Sequence, residues 1–279
     1  MKTSADMAMW RTPSGLLGIV ILAVLSLLAI AVSAGWLAGG WSTTSAAQWA
    51  PADAAHWFGT NRLGQDIWDR ALAGTLTAFR VGIVVTVGAL VLGAMLGAIA
   101  GWRAGSWLDD VMLYLMGVLD SMPIYLLAAA FAFMLGGGEV AMYVAMIVSF
   151  WTSTARLVRA EVARLRGQAY VLSAEAIGLP PALILLRHLL PNTGHILLVQ
   201  ATLTFVAAIK TEVILSFLGI GVRDGVSWGL MLAESTQDVL AGHFGNFAAA
   251  SLLLFSLLLG LNLLADALQD AFSLSEVPR

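Results

Sequence analysis

The chain has 279 residues, of which 59% are hydrophobic and 11% charged, and its net charge is −3. A soluble domain carries roughly 25% charged residues, so a free-standing globular domain is excluded and a polytopic membrane protein is indicated; the near-neutral balance leaves no footprint for nucleic acid. The absence of cysteine excludes disulfides, thiolate metal sites and cysteine nucleophiles.

A spanning helix needs about 20 apolar residues. Residues 15–37 carry no charge and follow Lys2 and Arg11. A signal peptide is the rival reading, with its short apolar core and small-residue cleavage site; the length of the run favours an uncleaved first span. Residues 39–78 are mixed, with Trp36, Trp41, Trp49, Trp57 and Trp68 in or beside them, as suits a segment lying against the bilayer surface. Residues 81–102 are the second span, bounded by Arg80 and Arg103. Gly93 and Gly97 form a small-xxx-small pair there that permits close helix contact. Residues 111–135 are the third span, interrupted by Asp120 and by Pro123, which should kink it. After the turn at Gly136, Gly137 and Gly138, residues 140–155 are a shorter fourth span. Residues 192–215 are the fifth and carry Lys210 and Glu212; residues 217–243 are mixed; residues 244–265 are the sixth.

Six spans put both termini on one side. That side carries Lys2, Arg11, Arg103, Arg279 and five arginines of the stretch 156–191, nine in all, against four on the other: Arg62, Arg70, Arg80 and Arg223. The positive-inside bias then makes the termini and that stretch cytoplasmic. The expected organisation is an all-α membrane protein of six transmembrane helices. Residues 1–14 are a cytoplasmic N-terminus, 15–37 the first helix, 38–80 an external segment, 81–271 a five-helix core with a cytoplasmic loop at 156–191, and 272–279 a tail. No internal repeat is visible, which weakens an ion-coupled secondary carrier, the alternative transporter class.

The stretch 156–191 is a polar, arginine-rich island in an otherwise apolar chain, holding Arg156, Arg159, Arg164, Arg166 and Arg187. It reads as two helical pieces, 156–172 and 182–190, separated by Gly178, which can cap a helix, and by Pro180 and Pro181. A short glycine-ended helix between spans presents a knob to solvent; the plainer reading is a solvated connector whose arginines only fix topology. Its segment YVLSAEAIGLPPALILLRHLLPN resembles the cytoplasmic loop of permeases of binding-protein-dependent ABC importers. Ala174, Gly178, Leu190 and Pro191 match that motif, while Leu172 and Ser173 stand where the family keeps Glu and Ala. Elsewhere FGTNRLGQDIWDRALAG, GWRAGSWLDD, ARLVRAEV, SFLGIGV, SWGLMLAES and NLLADALQDA resemble the second permease of dipeptide, oligopeptide and nickel importers, over residues 56–271.

The resemblance implies a type I importer permease in a bacterial inner membrane, paired with a second permease, two ATPases and an external solute-binding protein. Leu172, Ser173, Ala174, Glu175, Ala176, Ile177 and Gly178 would then dock on an ATPase, with Arg164, Arg166 and Arg187 at the rim. The chain has no G-x-x-x-x-G-K-[ST] phosphate loop, so ATP and magnesium are expected on the ATPases, and this chain is expected not to be an enzyme. Ionisable residues in spans are costly and mark function or internal pairing; Asp120, Lys210 and Glu212 are therefore pathway candidates. Lys210 and Glu212, two apart, point to different helix faces: they either pair with other spans for stability or face an aqueous cavity, where one cation and one anion would suit a peptide's two ends. Asn61, Arg62, Gln65 and Asp66 are candidates for contact with the binding protein, a self-capped loop being the rival reading. His56, His188, His195 and His243 are dispersed without ligand spacing, so no metal site is expected.

Overall fold

A computed structural model describes residues 13–222 and 225–273. Lys2, Arg11, Arg223 and Arg279, which enter the charge count, lie outside the described residues, as do residues 1–12 and 274–279 of the expected N-terminus and tail. The described residues are helical, without a strand: α1 (Pro13–Ser33), α2 (Ile67–Trp102), α3 (Trp107–Asp120), α4 (Ile124–Met134), α5 (Glu139–Arg166), α6 (Ala169–Ala176), α7 (Pro181–Ile184), α8 (Gly194–Phe217), α9 (Trp228–Leu240) and α10 (Gly245–Ser273). A π turn (Leu185–Leu189) and a 3-10 turn (Leu190–Thr193) join α7 to α8. Five stretches are long and apolar enough to cross a bilayer: α1, α2, α5, Pro181–Phe217 and α10. The bent pair α3 and α4 makes a sixth when counted as one broken span.

Four boundaries differ from the sequence reading, each for a local reason. The second span does not start at residue 81: α2 begins at Ile67, where Asp66 is its N-cap and accepts the Asp69 N–H. No proline interrupts the next 36 residues, a length of about 54 Å against a hydrocarbon core of about 30 Å. Residues 67–80, expected within the external segment, thus belong to the same rod as the span. The third span is broken rather than kinked. Pro123 lacks an N–H and disfavours helix at Met122, so α3 stops at Asp120 and α4 restarts at Ile124 with a 94° bend. The island is not two helices of its own. Residues 139–166 contain neither glycine nor proline, and α5 runs through Arg156 and Arg159 to Arg166 before Gly167 ends it. Residues 217–243, read as mixed, contain α9, capped by the Ser227 side chain on the Leu230 N–H.

The core depends on close approach of α2 to its neighbours. A Cβ added at Gly93 would lie 2.6 Å from the Trp151 carbonyl oxygen, at Gly97 2.4 Å from that of Ala155, and at Gly101 2.5 Å from that of Arg159. The Gly93 and Gly97 pair extends by one more turn and seats α2 backbone-to-backbone on α5. Between membrane helices such contact is favoured by dispersion and close fit, because acyl chains remove the hydrophobic drive. Further out, Gly82 lies against the Phe205 ring of α8 and Gly74 against Trp228 of α9. Gly18 of α1 meets Gly260 and Leu263 of α10 in the same manner. Gly97→Leu is expected to cost about 3 kcal/mol and to lower the thermal midpoint of the purified chain in detergent. Gly117→Ala, whose added Cβ meets nothing within 4 Å, should leave that midpoint unchanged or raise it.

Candidate functional site

Three regions carry the polar side chains: a cap formed by residues 38–66, a cleft within the spans, and a knob after α5. The cap is built by residues 38–66 folding over the N-terminal end of α2. Gly59 and Gly64 adopt φ of +74° and +71°, with Cβ positions that would lie 2.4 and 2.3 Å from the Ala50 and Ala46 carbonyl oxygens. Asn61 is 1% exposed; its Oδ1 accepts the Leu63 and Gln65 N–H groups at 2.9 and 3.0 Å. Its Nδ2 donates to Gln65 Oε1 at 2.9 Å, and Gln65 Nε2 donates to the Ser42 carbonyl at 3.0 Å. Asp66 caps α2 with one oxygen and meets His56 Nδ1 at 2.6 Å with the other. Asn61, Gln65 and Asp66 are therefore buried framework, which corrects the expectation that all four candidates face a partner. Arg62 is exposed and donates to Gln237 of α9 at 3.2 Å. The Ala55 and His56 N–H groups, His56 foremost, hold the Asp53 carboxyl below the usual carboxylate range.

Two polar anchors of the cap were not singled out from sequence. Arg70, within the quoted FGTN segment, is buried, donates to Gln65 Oε1 at 2.5 Å and pairs with Glu234 of α9 at 2.8 Å. Asp238, 1% exposed, accepts the Trp49 indole N–H at 2.9 Å and the Asn246 amide at 3.2 Å. The Trp228 N–H completes the join by donating to the Ala71 carbonyl at 2.9 Å. The signal available was the presence of Arg70 and Glu234 in motifs already quoted, although nothing in either motif names the other.

In the spans, Asp120 ends α3 and accepts Thr152 Oγ1 at 2.7 Å and Arg156 at 2.5 Å, both from α5. Lys210 is exposed on α8, forming no ion pair among the described residues; Glu212 is 1% exposed and accepts the Ser216 hydroxyl at 2.7 Å. One side chain is exposed and the other buried, and the two form no ion pair with each other among the described residues. Between α4, α5 and α8 lies a cavity of about 330 Å³ lined by Tyr125, Ser153, Gln200, Thr204 and apolar neighbours. No cluster of three or more metal-ligating side chains occurs among the described residues.

The knob follows from helix-end chemistry. Gly167 terminates α5, and α6 turns back for eight residues. Gly178 adopts φ +81°, its N–H donates to the Glu175 carbonyl, and the Leu179 N–H reaches back to the Ala174 carbonyl at 3.1 Å. This closes the helix in a Schellman-type end. Val171 and Ala174 are buried beside Val162 and Ile184. Leu172, Ser173, Glu175, Ala176, Ile177 and Gly178 are exposed, Ile177 by 77%. Of the three rim arginines, Arg187 is exposed and forms no ion pair or hydrogen bond among the described residues. Arg164 pairs with Glu161 at 2.6 Å, and Arg166 donates to the Trp102 carbonyl at 2.7 Å while covering its ring at 5.1 Å. A further pair ties the spans just above: Arg159 binds the buried Asp109 through Nε and one terminal nitrogen, both at 2.6 Å. Both residues fall within quoted motifs, GWRAGSWLDD and ARLVRAEV, yet their pairing is legible only in three dimensions.

Five or six apolar helices long enough to cross a bilayer, with a short exposed helix between two of them, define a polytopic membrane protein. Residues 90–275 match the family model of the binding-protein-dependent transport system inner membrane component. The chain is 34% identical to the dipeptide transport system permease protein DppC of Bacillus subtilis (strain 168), over 79% of this chain and 69% of the relative. It is 33% identical to the oligopeptide transport system permease protein OppC of the same organism, covering 79% and 72%. With the glutathione transport system permease protein GsiD of Pectobacterium atrosepticum it shares 36% identity, covering 78% and 72%. This chain belongs to the family of inner-membrane components of binding-protein-dependent transport systems. It is a multi-pass permease subunit of an ABC importer, and the ion-coupled carrier alternative is set aside. Arg70→Met, which leaves Glu234 without its partner, is expected to cost about 3 kcal/mol. The double variant with Glu234→Met should recover much of that loss in a double-mutant cycle of thermal unfolding.

Proposed function

We propose that this permease imports peptides, pairing with a second permease and taking its drive from two ATPase subunits that dock on the α6 knob. The observation that carries the reading is the knob itself. It is a short helix closed by a left-handed glycine, exposing Leu172, Ile177 and Gly178, and held by Val171 and Ala174 against the inner ends of α5 and α7. Small and apolar side chains at its tip suit insertion into a groove. Leu172 in place of the family acid makes the contact apolar rather than ionic.

Under this reading ATP and magnesium bind the partner ATPases, the termini and knob are cytoplasmic, and the cap faces an external solute-binding protein. Peptide cargo is supported by the dipeptide, oligopeptide and glutathione systems to which the relatives belong. Arg62, exposed beside Gln237, and the exposed Trp57 are the groups on the cap that a binding protein would meet. Lys210 supports placing the pathway along α8, since an ammonium without a partner among the described residues is costly in lipid.

Ile177→Asp and Gly178→Trp are each expected to reduce co-purification of the ATPase subunits and to lower ATP-driven peptide uptake at least tenfold. The permease pair itself should still assemble. Coupled uptake at the wild-type rate in both variants would sink the docking reading. Lys210→Met should lower uptake while leaving basal ATP hydrolysis intact.

A further inference from the structure

We infer that the cleft between α4, α5 and α8 holds a passing peptide by its backbone amides, with Gln200 as the residue that reads them. This rests on the peptide-importer reading above. The cleft, about 330 Å³, sits where Pro123 breaks the third span, so that Ile124 and Tyr125 of α4 stand off from Ser153 of α5 and Gln200 and Thr204 of α8. Gln200, Thr204, Ala207 and Thr211 recur at spacings of four, three and four, the period of one helix face.

Gln200 is 8% exposed. Its amide nitrogen makes one long hydrogen bond, 3.4 Å to Thr204 Oγ1, and its carbonyl oxygen has no partner among the described residues. The Tyr125 and Ser153 hydroxyls likewise form no hydrogen bond to the described residues, whereas Thr211 is satisfied by the Ala207 carbonyl at 2.8 Å. Buried polar groups are ordinarily paired, and polar groups within a membrane face a bundle interior or a watery cavity. Here the buried Gln200 amide, with one long hydrogen bond, shares the cleft with the exposed hydroxyls of Tyr125 and Ser153, which form none among the described residues.

The cavity lining carries no charge. A primary amide offers an acceptor and two donors, so it can pair reciprocally with a peptide group whatever the side chains are. A neutral hydrogen bond is also weaker than a charge-assisted one, so the cargo can leave. Lys210 is exposed on the same helix, on one stripe with Leu203 and Phe217 at seven-residue intervals, and since an ammonium is costly against lipid this reading assigns that stripe to water or the second permease.

The test uses the complete complex, with its second permease, ATPases and binding protein, in proteoliposomes. The probes are radiolabelled trialanine and its depsipeptide analogue, in which an ester oxygen replaces one peptide N–H, each loaded on the binding protein to saturation. Wild-type complex is expected to take up trialanine several-fold faster than the ester. Gln200→Leu is expected to assemble normally, retain basal ATP hydrolysis, lose at least tenfold of trialanine uptake and lose the amide-over-ester preference. Gln200→Asn, which keeps the amide, should recover part of both. Wild-type uptake or an unchanged preference in Gln200→Leu overturns the inference, as does failure of that variant to assemble, which would make Gln200 a structural contact between permeases. Failure of the wild-type complex to take up either probe with ATP overturns the peptide reading and this inference with it.

Discussion

The interaction on which the other features rest is the glycine-backbone contact of α2 with α5. Gly93, Gly97 and Gly101 leave no room for a side chain, so the carbonyls of Trp151, Ala155 and Arg159 lie directly on the neighbouring backbone. Several other helices are then placed by what remains exposed on this pair, while α1 and α10 seat on each other through Gly18 and Gly260. The outer half of α2 offers Gly74 and Gly82 to Trp228 and Phe205, which fixes α9 and α8. The inner half of α5 offers Arg159 to Asp109, which fixes the start of α3, and Val158, Val162 and Leu165, against which the knob is seated. A side chain at any of the three glycines would disturb all of these at once.

Charge is arranged to suit that frame. Asp109 with Arg159, Arg70 with Glu234 and Asp120 with Arg156 each join two different helices, and the first two are largely removed from solvent. Buried pairs add little net stability compared with apolar residues, but a single orphaned member is costly. Such pairs therefore penalise wrong helix registers more than they strengthen the right one. That function suits a membrane bundle, where apolar surfaces slide past each other with little discrimination.

The sequence made the number of spans legible because length and hydropathy are one-dimensional signals. The close α2–α5 contact was visible in Gly93 and Gly97, although Gly101 and the identity of the partner helix were not. The boundaries were misjudged where charge was taken as an end. Arg80 and Arg156 lie inside continuous helices, since a charged residue does not by itself end a helix. The knob was found through Gly178, whose positive φ is a local requirement. Asn61, Gln65 and Asp66 looked like surface residues because they are polar; they are buried because a loop this compact must satisfy its own amides. Long-range pairs such as Trp49 with Asp238, or Arg70 with Glu234, have no one-dimensional trace at all.

The length of α2 carries a mechanical consequence. Its inner end lies beneath Arg166, one turn from the knob, and its outer end is clamped through Arg70 to α9. Between them runs a strut of about 54 Å, stiffened over its inner half by lamination to α5. The two faces of the protein are thereby connected in series. The cap and the knob are thus held at the two ends of one helix that no proline or break interrupts.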